Sequence, residues 1–253
     1  MFRAVLLLLA VTLPAQAANL AAEARLVAAF RDGVPPDRLV ELEAAGRGFV
    51  AIHRLNEREP RRGAAILLHD RGLHADTGEV IRPLAGELAR HGWETLAVQL
   101  PVAGANAPER DWQALVDQAQ PRLQAAADFL KARDVDTLAV VGHGLGAAMA
   151  ARFVAGQANT AGGLLVLIGA PRQPVGDELA RVTVPTLDLF GERDRWASEG
   201  AAARQAAAAG DYTQVAVPGA DHRFTAAQAL LASRVRAWLN RVAGTGAPAG
   251  DQR

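Results

Sequence analysis

This sequence predicts an α/β protein in which helices cover both faces of a mostly parallel sheet. Short apolar runs alternate with amphipathic segments along most of the 253 residues, which is typical of parallel strands connected by helices. The chain is 50% hydrophobic, so a single domain of this length can bury a substantial core. A glycine-rich segment, Gly142–Gly146, joins one apolar run directly to a helical pattern. We expect one large domain organised around that junction.

The N-terminus has the three parts of a secretory signal peptide. Arg3 precedes an apolar run from Ala4 to Leu13, and the small-residue sequence Ala15-Gln16-Ala17 follows. We predict that residues 1–17 are a signal peptide cleaved near Ala17 and that the mature protein is periplasmic or secreted. Because the apolar run is too short to span a membrane, no stable membrane anchor is expected after cleavage.

Composition narrows the possible partners. The sequence has no cysteine, which excludes disulfides, a thiol nucleophile and a lipid-attachment cysteine. Its 27 basic and 27 acidic residues balance, and this near neutrality gives no indication of nucleic acid binding. We therefore expect the partner to be a small molecule or another protein.

The order of the predicted elements defines the domain organisation. Residues 18–47 are predicted as a helical lead-in, 48–243 as the main domain and 244–253 as a disordered tail. The charged segment Asn56–Gly63 suggests an antiparallel hairpin between strands at 49–55 and 64–68. Later strands are predicted at 94–100, 137–141, 163–168, 186–190 and 212–217, with helices at 80–88, 111–131 (broken or kinked at Pro121) and 224–242.

The segment Gly142-His143-Gly144-Leu145-Gly146 follows a predicted strand and opens a helix. A Gly-x-Ser-x-Gly sequence in that context is the nucleophile elbow of α/β-hydrolases, but here Gly144 stands in the position of the serine. Glycine adopts the backbone conformation of such a turn without strain, so the turn can persist without the nucleophile. A plain strand-to-helix turn also fits. A dinucleotide-binding fingerprint fits less well, because no acidic residue follows ~20 residues later.

Two further motifs follow predicted strands in the same order as in α/β-hydrolases. Asp194 ends Gly191-Glu-Arg-Asp194, and His222 ends Gly219-Ala-Asp-His222. The order of nucleophile position, acid and histidine is that of the superfamily. Residues 49–242 thus resemble the α/β-hydrolase superfamily. The resemblance implies a mostly parallel central sheet flanked by helices, an N-terminal antiparallel hairpin and Asp194 orienting His222. The short stretch before residue 186 leaves no room for a sizeable lid domain.

A narrower resemblance rests on the runs Leu67–Gly72 and His91–Pro101. They look like a bacterial family of exported hydrolase-like proteins of unknown function, which implies a fold but no substrate. The segment from His69 to Gly72 is similar to the superfamily's oxyanion loop, where a backbone N–H helps to hold the tetrahedral intermediate. This similarity and the elbow together indicate four residues of an oxyanion or ligand-binding site: Asp70, Arg71, Leu145 and His143.

The missing hydroxyl separates two functional hypotheses. A Ser-His-Asp mechanism needs an oxygen that the histidine can deprotonate, and Gly144 has none. We therefore predict a non-catalytic pseudo-hydrolase that binds a small molecule or a protein partner, with Asp194 and His222 retained. The alternative is a hydrolase- or lyase-type enzyme in which the His222–Asp194 dyad acts as general base. A dyad facing a cleft favours the enzyme, and a filled cleft beside an exposed apolar patch favours the binding protein.

Two expectations concern metals and a test substitution. The histidines at 69, 74, 143 and 222 follow or precede predicted strands, with Asp70 and Asp194 nearby, and such side chains can bind zinc. None has a short His-x-x-x-His spacing, so we predict no metal and no cofactor. We also expect Gly144→Ser to be tolerated at a cost of ~1–3 kcal/mol of backbone strain.

Overall fold

The computed structural model describes residues 18–157, 162–172 and 175–245. The predicted signal peptide and residues 246–253 of the predicted tail lie outside the described residues. In the described part of the chain the strands are β1 Leu39–Ala44, β2 Arg47–Arg54, β3 Gly63–Leu68, β4 Trp93–Val98, β5 Leu138–His143, β6 Gly163–Ile168, β7 Thr186–Gly191 and β8 Tyr212–Val217. The helices are α1 Leu20–Arg31, α2 Ile81–Ala89, α3 Glu109–Lys131, α4 Leu145–Ala155, α5 Val175–Leu179, α6 Arg195–Ala207 and α7 Gln228–Thr245.

These strands form one sheet in the order β1-β2-β4-β3-β5-β6-β7-β8. All pairs from β4 to β8 along that order are parallel, whereas β2 pairs antiparallel with both β1 and β4. The predicted fold class is therefore confirmed. Because β3 lies between β4 and β5, connections leaving neighbouring strands diverge there and open a crevice at the carboxyl ends, where ligands bind in such folds.

The N-terminal hairpin is made by other strands than those predicted. β1 and β2 form it around Ala45 and Gly46, which both have positive φ, as a tight two-residue hairpin turn requires. The predicted pairing of 49–55 with 64–68 is wrong. The whole of β3 is buried and pairs in parallel on both sides, so Asn56–Gly63 is a crossover loop. Residues 39–44, predicted within the helical lead-in, are a strand whose Leu42 and Ala44 pack on the core.

Alternate residues of the central strands contribute to two hydrophobic layers, one on each face of the sheet. Ala64, Ile66 and Leu68 of β3 pack with α3, α4 and α5 on one face, and Ala65 and Leu67 pack with α1, α2 and α7 on the other. Full burial of the central strands on both faces is what parallel sheets require.

Two helix predictions need correction. Helix α3 runs continuously through Pro121, so a break there is wrong, whereas the kink given as the other possibility stays a prediction. Helix α7 begins at Gln228, so Phe224 lies in the preceding loop, with a positive φ and a fully buried ring. The described helices include none long and apolar enough to cross a membrane.

Candidate functional site

The turn between β5 and α4 is sharp and is centred on Gly144, which has no side chain. Gly144 has φ 54° and ψ −118°, a conformation that side chains rarely adopt. The flanking glycines are needed because other backbone comes close. A Cβ on Gly146 would lie 2.6 Å from the carbonyl oxygens of both Leu68 and His69. The turn therefore presses the start of α4 against the end of β3.

Asp194 and His222 meet at the carboxyl edge of the sheet, as the sequence motifs suggest. Asp194 follows β7 and caps α6, with its Oδ1 accepting a hydrogen bond from the N–H of Ala197 at 3.2 Å. Its Oδ2 lies 2.6 Å from Nδ1 of His222, which follows β8. The carboxylate is buried, and the imidazole is partly exposed. In this dyad the carboxylate of Asp194 orients the imidazole of His222 through its Nδ1 atom.

The side chain of Asp70 occupies the space that the elbow residue leaves empty. Its Oδ1 accepts hydrogen bonds from the backbone N–H groups of Leu145 and Arg71, both at 2.7 Å. Its Oδ2 lies 2.9 Å from Nε2 of His222. The two N–H groups expected to form an open oxyanion site are thus both bonded to a carboxylate of the protein itself.

Helix capping explains why the carboxylate lies there. The first N–H groups of an α-helix lack partners within the helix, and the N-terminus attracts negative charge. Gly144, at the cap position of α4, has no side chain to supply one. Asp70, from the loop after β3, binds the N–H of Leu145, the first residue of α4. An acidic residue two positions after the end of β3 is the only sign of this in the sequence.

The same contact corrects the expectation for Gly144→Ser. A Cβ at Gly144 would lie 2.6 Å from Oδ2 of Asp70 and closer still to Oδ1. Steric overlap would therefore add to the backbone strain of a non-glycine residue. The expected cost of ~1–3 kcal/mol is too low unless Asp70 moves.

Two carboxylates set the charge of His222. The hydrogen bond to Asp194, followed by that to Asp70, raises the pKa of His222 to about 10, although burial opposes the shift. Burial alone would raise the pKa of Asp70, but the hydrogen bond from His222 and other contacts hold it well below its usual range. At neutral pH the site is an imidazolium between two carboxylates, with Nε2–H donating to Asp70.

The other predicted histidines have different roles. His143 is fully buried, donates from Nε2 to the backbone carbonyl of His222 at 2.9 Å and stacks on that ring at 4.9 Å. Burial lowers the pKa of His143. Instead of lining the pocket, it lies beneath the histidine loop. His69 accepts the N–H of Leu100 at Nε2, and burial lowers its pKa to about 4. His74 stacks on a phenylalanine of α1.

A pocket of about 310 Å³ opens above the dyad. This volume is at the lower end of the range for small-molecule sites. Trp196 is 69% exposed at its rim. Two larger grooves, of about 510 and 570 Å³, contain none of the predicted site residues. The pocket is lined by Asp70, Arg71, Glu109, Gly144, Leu145, Gly169, Pro171, Asp194, Trp196 and His222.

Arg71 organises one wall of the pocket. Its guanidinium lies 5.9 Å from the ring centre of Trp112 and 5.6 Å from that of Trp196, both within cation–π range. It also pairs with Glu109 at 2.9 Å. Glu109 and Trp112 begin α3 and were not predicted as site residues. Helical periodicity marks such positions as surface or core, and only the fold brings them to the pocket.

The sheet order, the glycine elbow and the acid and histidine loops together define an α/β-hydrolase fold. The chain belongs to a family described as "Protein of unknown function (DUF3530)", whose profile matches residues 10–120 and 105–241. Among curated proteins, none matches this chain significantly.

Solved structures share this fold at low identity. A dienelactone hydrolase from Anabaena variabilis is 19% identical with a TM-score of 0.68, over 80% of this chain and 96% of the other. An α/β serine hydrolase without a lid from Xanthomonas campestris is 21% identical with a TM-score of 0.64, over 86% and 99%. Est1E from Butyrivibrio proteoclasticus, solved with ferulic acid bound, is 15% identical with a TM-score of 0.67, over 80% of this chain and 98% of the other.

Proposed function

We propose that this chain is an exported, non-catalytic α/β-hydrolase-fold protein that binds a small molecule or a protein partner at the pocket above Asp194 and His222. The observation that carries the proposal is the position of the Asp70 carboxylate. It bonds both backbone N–H groups that would hold an oxyanion and lies where an elbow side chain would extend.

Three requirements of serine-type acyl transfer are missing or blocked, although the Asp194–His222 pair is in place. Gly144 offers no oxygen for attack on a carbonyl carbon. His222 carries its proton on the nitrogen that would have to accept one, since two carboxylates raise its pKa to about 10. A developing oxyanion would meet the negative charge of Asp70 where hydrogen-bond donors are required. These three features support binding without turnover.

The walls of the pocket favour a small ligand. The exposed ring of Trp196 offers an apolar face, and the Arg71–Glu109 pair supplies polar groups beside it. Small-molecule sites typically combine apolar walls with a few fixed polar groups. Trp196 is also the most exposed of the large hydrophobic side chains described, so it is the natural contact for a protein partner.

The enzyme hypothesis remains the second candidate, because the dyad is intact at 2.6 Å and faces a cleft. For His222 to act as general base, Asp70 would have to release Nε2 and the imidazolium would have to lose its proton. A substrate that displaces the Asp70 carboxylate could bring this about. The reaction would be hydrolase- or lyase-type, without a covalent serine intermediate.

An assay for hydrolysis of a panel of activated short-chain esters distinguishes the non-catalytic binding protein from the enzyme. We expect no turnover above background by the natural protein, by His222→Ala or by Gly144→Ser, in which the new side chain collides with Asp70. The double variant Gly144→Ser/Asp70→Ala restores both hydroxyl and oxyanion site, and we expect it to gain activity that a further His222→Ala change removes. Turnover by the natural protein that His222→Ala abolishes would support the enzyme instead.

Export has its own test. We expect the full chain, expressed in a Gram-negative host, to be recovered from the periplasm with its N-terminus near Ala18, as mass spectrometry of the intact protein would reveal. Recovery from the cytoplasm with residues 1–17 still attached would contradict export.

A further inference from the structure

We propose that Asp70, His143 and His222 form a zinc site beside the pocket. Each of the three offers a ligand atom, and these atoms lie within 4.8 Å of one another. Two imidazoles with a carboxylate are a common protein ligand set for catalytic zinc, which keeps one further position open. The site goes beyond the proposed binding function, because it gives the pocket a metal ion with which a ligand could bond.

The closest pair of donors is nearly at the spacing that zinc requires. Nε2 of His222 and Oδ2 of Asp70 are 2.9 Å apart. Donors about 2.0–2.1 Å from a tetrahedral zinc ion lie ~3.3 Å from each other. An ion can therefore take the place of the proton between these two atoms with little movement. The ligand atoms lie within 4.8 Å of one another, so the widest pair must close by at most about 1.5 Å, a movement shared among the three side chains and the loops that carry them.

An independent observation concerns His143. Its Nδ1 is buried and has no hydrogen-bond partner among the described residues, although its ring is fully enclosed. A buried polar atom without a partner is costly and calls for an explanation. The Nε2–H of the same ring is already bonded to the carbonyl of His222, so Nδ1 carries the free lone pair. A metal ion would satisfy it.

The surroundings of the three ligands match those of metal sites. Metal-bound histidines usually donate their other N–H to a carboxylate or a backbone carbonyl, and ligand carboxylates are themselves hydrogen-bonded. His222 contacts Asp194 through Nδ1, and His143 donates to a backbone carbonyl. Oδ1 of Asp70 accepts the two N–H groups described above. All three side chains are thus fixed at the atom that does not face the proposed ion.

Charge and donor type favour zinc over magnesium. Asp70 and Asp194 supply two negative charges, which a divalent cation balances together with neutral imidazoles. Nitrogen ligands suit zinc, whereas magnesium prefers an all-oxygen octahedron. The spacing of the ligands along the chain gives no recognisable motif, which is why the sequence alone predicted no metal.

Isothermal titration calorimetry of the chelator-treated protein with zinc chloride at neutral pH tests the site. We expect one equivalent to bind and magnesium chloride to give no binding heat. His143→Gln keeps an N–H donor toward the His222 carbonyl but removes the imidazole Nδ1, and we expect it to weaken zinc binding at least tenfold. Asp194→Asn should weaken it ~10–100-fold, as loss of an outer partner usually does. His91→Gln, a partly exposed histidine outside the cluster, is the matched control and should leave the affinity unchanged.

Absence of zinc binding to the natural protein would overturn the proposal, as would binding that His143→Gln leaves unchanged. Circular dichroism of each variant verifies its fold. Cobalt substitution provides a second readout that needs no variant. The intense visible absorption of tetrahedral cobalt is expected for the natural protein, and a weak octahedral spectrum would count against the site. A negative result leaves the ester assay and the binding function unaffected, so the two proposals fail separately.

Discussion

Asp70 is the residue on which the chemistry of this site depends. A serine hydrolase keeps two backbone N–H groups free for an oxyanion and a hydroxyl beside the histidine. Here one carboxylate bonds to both N–H groups and to Nε2 of His222. Gly144 makes room for that carboxylate because it has no Cβ. The lack of a side chain at Gly144 and the position of the Asp70 carboxylate therefore depend on each other.

A double-mutant cycle tests that dependence. We expect Gly144→Ala to cost clearly more than the ~1–3 kcal/mol of backbone strain in the natural background, because its Cβ collides with Asp70. In an Asp70→Ala background the same change should cost only that strain. The free energy of unfolding in urea measures both. Additive costs, with no coupling between the two positions, would mean that the carboxylate does not fill the elbow space.

At the scale of elements, a buried ion pair ties the acid loop to the sheet. Arg204 of α6 bonds Asp188 of β7 at 2.8 Å, and both side chains are fully buried. The guanidinium also donates to the carbonyls of Ala170 and Ala197, which begin the loop after β6 and the first turn of α6. Asp194 lies between these anchor points along the chain. The pair thus positions the carboxylate that holds His222.

Removal of the Arg204 side chain should destabilise the folded protein. We expect Arg204→Met to lower the free energy of unfolding by about 3–5 kcal/mol, because it leaves Asp188 charged and buried without its cationic partner. Arg195→Met on the same helix is the control. Arg195 is almost fully exposed, with a long 3.8 Å contact to Glu199, so its loss should change stability by less than about 0.5 kcal/mol. Equal effects of the two changes in urea unfolding would contradict this role.

Tyr212 on β8, which donates a hydrogen bond to Asp188, gives a prediction about pH dependence. Burial, followed by the proximity of Asp188, raises the pKa of Tyr212 above its ordinary value. Tyr212 is the only tyrosine of the chain, so ultraviolet absorbance follows it alone. Above the unfolded pKa of ~10 the unfolded state loses its proton first, and stability should fall as pH rises. We expect tyrosinate to appear only together with unfolding. Ionisation near the ordinary pKa in a folded protein would be the opposite result.

At the scale of the whole molecule, patterns within one element could be predicted and contacts between distant elements could not. β6 and β8 have the predicted bounds, because the apolar or β-branched run that forms each strand begins and ends abruptly in the sequence. The hairpin was assigned to the wrong strands, since Asn56–Gly63 is equally compatible with a turn or a crossover. β1 was missed because its alternating residues follow a helix and a proline pair.

The candidate site shows the same division. The motifs ending in Asp194 and His222 could be located because each follows a strand, and parallel strands bring their carboxyl ends to one edge. The direction of the Asp70 side chain depends on a gap in another loop, at Gly144. The pocket wall depends on where α3 begins. Neither leaves a periodic pattern in the sequence.

The most direct test of this account is a crystal structure of the mature protein at neutral pH. We expect Oδ1 of Asp70 within hydrogen-bond distance of the N–H of Leu145, and Oδ2 facing Nε2 of His222 directly or through a bound ion. A structure in which Asp70 points away and the Leu145 and Arg71 N–H groups hold water or a small anion would contradict it. The oxyanion site would then be open, and the enzyme hypothesis would gain the advantage.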